Sequence, residues 1–124
     1  MSIGFNSPVP ILRIFSVEKA KEFYIDFLGF KIDWEHRFEE SLPLYMQVSR
    51  GELVLHLSEH YGDSTPGSAV FIPTTNLEAF NKELLDKKYN YLRPGIVDQD
   101  WGMKEMHVID PFGNRLRFAE RITS

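Results

Sequence analysis

The chain reads as an α+β protein of two tandem βαβββ units, and three features of the sequence predict it. An apolar strand-like run followed by an amphipathic helical pattern occurs near residue 10 and recurs near residue 70. Each helix is then followed by three further runs of β character. Between the two series lies HYGDSTPG at residues 60–67, rich in the residues that break regular structure. The expected units span residues 8–59 and 68–121 of one domain covering 1–124. Each unit is a twisted sheet with a helix on one face, so the sheets are expected to curl round a cleft with the helices outside.

Val9 to Phe15 has strand character, although Pro8 and Pro10 confine its start to an edge or entry position. Ser16 is placed to cap a helix in which Val17, Ala20, Tyr24, Phe27 and Leu28 recur at helical spacing, and Gly29 stops it. Phe30 to Glu35 is the next strand, and His36 to Ser41 is a charged loop. Leu44 to Ser49 and Leu53 to Ser58 form a hairpin round Arg50 and Gly51; Leu53, Leu55 and Leu57 face one way, Val54, His56 and Ser58 the other.

In the second series Ser68 to Pro73 is a strand, and Thr75 with Glu78 makes a T-x-x-E capping box. Leu77, Phe80, Leu84 and Leu85 then mark the buried face of a helix. Sliding the first helix by sixty residues lays Val17 on Leu77, Ala20 on Phe80 and Tyr24 on Leu84, as an internal repeat requires. Tyr89 to Arg93 is read as a strand and Pro94 to Asp100 as a polar loop. The chain closes with a hairpin, Met103 to Ile109 and Arg115 to Glu120, joined by Asp110, Pro111, Phe112, Gly113 and Asn114. Leu116 and Phe118 take one face of its last strand, Arg115, Arg117 and Ala119 the other.

Composition removes several functions. With no cysteine there is no disulfide framework, thiolate metal site or cysteine nucleophile. A net charge of −4 argues against nucleic-acid binding and favours a neutral or cationic small ligand. No basic-apolar leader opens the sequence and no apolar run is long enough to span a bilayer, so a cytoplasmic protein is expected. Neither a G-x-S-x-G elbow, a P-loop nor a dinucleotide fingerprint is present.

The segments VPILRIFSVEKAKEFYIDFLGF and WGMKEMHVIDPFGNRLRF resemble the glyoxalase/bleomycin-resistance/dioxygenase superfamily, the vicinal oxygen chelate fold. The resemblance runs from Val9 to Glu120, and its closing segment is most similar to the bleomycin resistance proteins. Enzymes of that superfamily hold a divalent metal at four strand positions, which the resemblance places at Val9, His56, Ser68 and Arg117. Only His56 is a competent ligand among them, and a guanidinium at Arg117 repels a cation, so no metal and no cofactor are expected. His36, His60 and His107 show no metal-ligand spacing.

What the sequence offers instead is a set of rings and acids. Trp101 is a large ring in a polar loop, and Trp34 and Tyr45 lie in strands expected to form the opposite wall. His56 and Arg117 occupy equivalent positions on the last strands of the two units and are expected to point into one trough. Asp98, Asp100 and Glu105 near Trp101 supply negative charge. Aromatic walls with an acidic rim suit a flat, cationic guest. The resemblance implies such a guest: a bleomycin-like glycopeptide, sequestered without chemical change in clefts of a homodimer whose N-terminal segments are exchanged or interlocked. A metal-dependent lyase, dioxygenase or thiol transferase on the same fold is the alternative, as is a binder of another aromatic metabolite. By the same resemblance the stretch Phe38 to Leu44 is longer than in the drug-binding relatives, and it is expected to reshape or close the cleft.

Overall fold

The computed structural model describes residues 2–37, 39–89 and 92–123. Among the described residues eight strands and two helical segments follow in the order β1 (Ile11–Arg13), α1 (Val17–Lys21, continuing as a π-helical turn over Glu22–Phe27), β2 (Lys31–His36), β3 (Tyr45–Arg50), β4 (Leu53–Ser58), β5 (Ala69–Pro73), α2 (Leu77–Asp86), β6 (Ile96–Asp98), β7 (Met103–Ile109) and β8 (Arg115–Arg121). They form two four-stranded mixed sheets, β1-β4-β3-β2 and β5-β8-β7-β6. In each, the first strand of the unit pairs in parallel with the last, and the remaining pairs are antiparallel. The α+β class and the repeated βαβββ order therefore hold, and neither sheet closes into a barrel.

The repeat extends to register. Ile11 lies opposite His56 in the first sheet, and Phe71 opposite Arg117 in the second. Continuing across the strands, His56 faces Gln47 and Gln47 faces Trp34; Arg117 faces His107. Residues directly opposite share a face, so these rows define one side of each sheet. The alternate rows, Leu12-Leu57-Met46 and Ile72-Phe118-Met106, line the helix side and are buried.

Both helix-bearing faces contribute to one apolar core that includes Phe23, Tyr24, Phe27, Leu77 and Leu84. Several polar contacts lock the units together. Tyr24 donates its hydroxyl to Asp110 at 2.6 Å, Asn114 Nδ2 donates to the Arg13 carbonyl, and Lys87 Nζ donates to the carbonyls of Asp26 and Phe27 that end the first helix. Arg50 grips Glu83 through both terminal nitrogens and donates to the Leu28 carbonyl. Gly29, with φ +79°, leaves room for that guanidinium: a Cβ there would lie 2.7 Å from Arg50 Nη1.

Three local expectations are corrected. The first strand shrinks to Ile11–Arg13, because Pro10 has no N–H to pair, although its carbonyl accepts from His56 N. The T-x-x-E box does not form: the residue before α2 is Asn76, in left-handed conformation, and it makes no side-chain cap. Glu120 of β8 takes that role, its two carboxylate oxygens accepting from the N–H groups of Asn76 and Leu77. A carboxylate reaching the helix start from a neighbouring strand satisfies the free amides and suits the helix dipole better than a threonine hydroxyl. Ser16, by contrast, caps α1 as expected, accepting from Lys19 N. The strand expected over Tyr89 to Arg93 includes two residues, 90 and 91, outside the described residues, and the strand itself follows Pro94, at Ile96–Asp98. There β7 sets the register, with Ile96 opposite Met106 on the core side.

Candidate functional site

On the open face of the first sheet, alternation along β2, β3 and β4 sets Trp34, Tyr45 and His56 side by side. Trp34 and Tyr45 stack at 5.9 Å with ring planes 10° apart, and His56 meets each of them edge-on, at 5.3 and 5.1 Å. A hydrogen-bond chain fixes the arrangement. Tyr45 Oη lies 2.7 Å from His56 Nδ1, and His56 Nε2 lies 3.0 Å from Gln47 Oε1. Gln47 Oε1 accepts only, so Nε2 carries the hydrogen and Nδ1 accepts the tyrosine hydroxyl. Gln47 Nε2 and Ser49 Oγ both donate to Asp33, which sits at a bulge in β2. Burial lowers the His56 pKa and raises that of Tyr45, with Asp63 adding to the latter, so both are neutral near pH 7. The Gln47 and Ser49 bonds hold Asp33 below the usual carboxylate range. The result is a face of uncharged rings, fixed by hydrogen bonds and edged by the Asp33 carboxylate, with Trp34 42% exposed.

The equivalent face of the second sheet carries charge. Glu105 is 1% exposed, and its Oε1 accepts from His107 Nε2 at 2.9 Å and from Arg117 Nε and Nη2 at 3.1 and 2.8 Å. Those donors, His107 first and Arg117 next, hold its carboxyl below the ordinary range, with a smaller contribution from the Trp101 indole. Arg117 also lies over the Phe71 ring, 5.5 Å from its centroid. Trp101 stands in the turn between β6 and β7, 62% exposed, next to Gly102 at φ +82°.

The sequence-predicted residues thus fall into two groups. Trp34, Tyr45 and His56 come together on one sheet, and Glu105, Arg117 and Trp101 on the other. The expectation that His56 and Arg117 share one trough within a chain is corrected: each gathers partners from its own sheet. The cause is the common core, which uses the helix-bearing faces of both units and leaves the opposite faces outside. Asp98 pairs with Lys104 on the α2 side of the second sheet, away from Glu105, and Asp100 is exposed in the turn. Phe38, the first residue of the Phe38 to Leu44 stretch, lies outside the described residues; Leu42 there is tied by its carbonyl to Arg37 Nη1. Two cavities, of about 510 and 620 Å³, lie elsewhere, beside Phe23 and Asp110 and between Phe30 and Phe80.

Sequence reasoning missed Gln47, Asp33, Phe71 and the tie between His107 and Glu105. Gln47 was within reach: a two-residue turn at Gly51 and Glu52 puts it opposite His56.

A family model described as glyoxalase superfamily protein matches residues 1–124. The chain belongs to the glyoxalase superfamily. Among solved structures it is similar to the bleomycin-binding protein of bleomycin-producing Streptomyces verticillus, complexed with copper(II)-bleomycin: 28% identity, TM-score 0.69, over 99% of this chain and 100% of that one. A bleomycin resistance determinant encoded on the transposon Tn5 has 20% identity and TM-score 0.72, covering 94% of this chain and 98% of that one. A bleomycin-binding protein complexed with bleomycin has 22% identity and TM-score 0.69, over 94% and 99%. At 20% and 22% identity the last two show a shared fold and no more. No curated protein matches the chain.

The metal-holding arrangement implied for enzymes of the glyoxalase superfamily fits this member poorly. Val9 has no donor atom, and Ser68 Oγ is bonded to the Thr65 carbonyl. Arg117 is a permanent cation already paired with Glu105. The lone pair of His56 is taken by Tyr45. Among the described residues no group of three or more His, Cys, Asp or Glu side chains is placed to hold a metal ion.

Proposed function

We propose that this glyoxalase superfamily member is a metal-independent small-molecule binding protein of the bleomycin resistance type. It acts in the cytoplasm, sequestering an aromatic, cationic glycopeptide antibiotic without chemical change. The observation that carries the reading is the open ring face of Trp34, Tyr45 and His56, fixed by hydrogen bonds within its own sheet. A preorganised aromatic surface takes a planar guest by stacking, with little ordering cost on binding.

The ligand cleft is built between two copies. In one chain the ring face lies open, and so does the Glu105 and Arg117 face, with Phe71 48% and Val97 58% exposed beside the latter. Apposing the first sheet of one copy with the second of another encloses both, and a twofold axis makes two such clefts. The copper(II)-bleomycin complex of the Streptomyces verticillus protein, 28% identical to this chain, supports the ligand class.

The test is a calorimetric titration of chelator-treated protein with metal-free and copper-loaded bleomycin, with sedimentation to fix the oligomeric state. Binding near one site per chain by a dimer is the expected result. A monomer that ignores both forms of the drug, and whose untreated preparation holds stoichiometric zinc, nickel, manganese or iron, sinks the proposal in favour of the metal-dependent enzyme.

A further inference from the structure

We infer that Glu105 selects an uncharged hydrogen-bond donor on a planar ligand and is not the receptor for the ligand's positive charge. The inference rests on the ring-face site proposed above and narrows what that site accepts.

Glu105 Oε1 receives three donors, whereas Oε2, although fully covered, has no hydrogen-bond partner. Among the described residues only one other buried side-chain polar atom, Arg13 Nε, is left so. A buried acceptor without a donor is costly to maintain, and a donor brought by a ligand would relieve that cost. Trp101 is the neighbour that stands beside this carboxyl: its indole helps hold Glu105 ionised without completing a hydrogen bond to Oε2. That ring is the most exposed part of the face and sits on a turn at Gly102. A ligand that displaces the indole gains access to the carboxylate oxygen and a ring to stack on.

Charge decides which group arrives. The Arg117 guanidinium already neutralises Glu105 at 2.8 Å. A second cation at Oε2 would gain the carboxylate but lie next to the guanidinium, and the two positive charges repel in a covered site. An amide N–H meets the acceptor with no such conflict. The rings on the first sheet are uncharged as well, since His56 and Tyr45 both keep their neutral forms, and the Asp33 carboxylate beside them already accepts from Gln47 and Ser49. A positive tail on the guest therefore extends to the rim, where Asp100 is exposed, while the ring and its amide sit inside.

Three probes sharing one ring separate the possibilities: indole-3-acetamide, its N,N-dimethyl amide, which lacks the donor, and tryptamine, which carries a cation. Each is titrated into the intact protein, with the Trp101 indole N–H and His107 ring signals followed by NMR. Indole-3-acetamide is expected to bind about tenfold more tightly than either of the others and to move both signals. Equal binding of the dimethyl amide, or tightest binding of tryptamine, overturns the inference and leaves the ring face standing. Failure of all three to bind removes the ring face as a ligand site, and this assignment with it. Arg117→Gln, which strips Glu105 of its counter-charge, is expected to turn the preference toward tryptamine; an unchanged preference in the folded variant also counts against it.

Discussion

The two βαβββ units share a backbone plan and differ in what they put on it. Where the first sheet has His56 opposite Gln47, the second has Arg117 opposite His107. The first closes its polar groups into a chain from Tyr45 through His56 and Gln47 to the Asp33 carboxylate, with each group partnered. The second concentrates an ion pair with one oxygen unmatched. Register is set by strand pairing and the apolar row beneath, which both units keep. The outward rows are free of that constraint, so their chemistry can diverge between the two sheets.

The largest expected effect is at the joint between the units. Asp110 is buried and accepts from Tyr24 Oη, Phe112 N, Asn114 N and Asn114 Nδ2. Asp110→Ala strands those donors and should lower stability by about 3 to 5 kcal/mol in urea denaturation. A loss below about 1 kcal/mol would mean that the two units do not depend on this joint. Next comes the ring face: Trp34→Ala should weaken binding of a planar ligand by about 1 to 3 kcal/mol, since an anchor ring is lost. Its effect on urea stability should be smaller, because the ring is 42% exposed. Equal losses in binding and stability would make Trp34 a packing residue.

The helix caps sharpen the contrast further. Ser16→Ala should cost about 1 kcal/mol, whereas Thr75→Ala should stay within about 0.5 kcal/mol, measured on the same denaturation curves. A Thr75 effect as large as that of Ser16 would restore the local capping box.

The smallest effect expected is in the pH dependence. His56 has its pKa lowered from 6.5 by burial, so the folded state prefers the neutral ring. Its contribution is full above pH 6.5 and is lost as pH falls through the lowered value. Glu105, lowered from 4.5, contributes fully above pH 4.5 and loses its share only further into acid. Stability should therefore decline in two phases, and His56→Gln should remove the upper one. A single phase that this variant leaves in place would show that the first sheet is insensitive to His56 charge.

How much of this was written in the sequence follows from which forces are local. The apolar alternation of Leu53, Leu55 and Leu57, the Ser16 cap and the Asp110 turn are short-range patterns, and the fold followed from them. The cap on α2 was not legible, because Glu120 is separated from Leu77 by 43 residues and nothing near Thr75 announces it. The strand at Ile96–Asp98 was displaced in the reading because pairing with β7, rather than propensity, places it. Strand alternation did bring Trp34, Tyr45 and His56 to one face, where they meet. What sequence could not supply was the ion pair in which Arg117 balances the negative charge of Glu105, or the shared core that keeps its face apart from His56.

The Glu120 contact carries a consequence for the order of assembly. The first helix brings its own cap and can form as soon as its residues are available. The second waits for the last strand of the chain to arrive, since its two leading amides are met by β8. Closing that distance costs loop entropy before any reward, so the second unit should organise as a whole or not at all. A chain that stops short of Glu120 would leave the start of α2 without those two bonds, and one that stops short of Arg115 would also leave β5 without its parallel partner, exposing sheet edges that invite association with other chains.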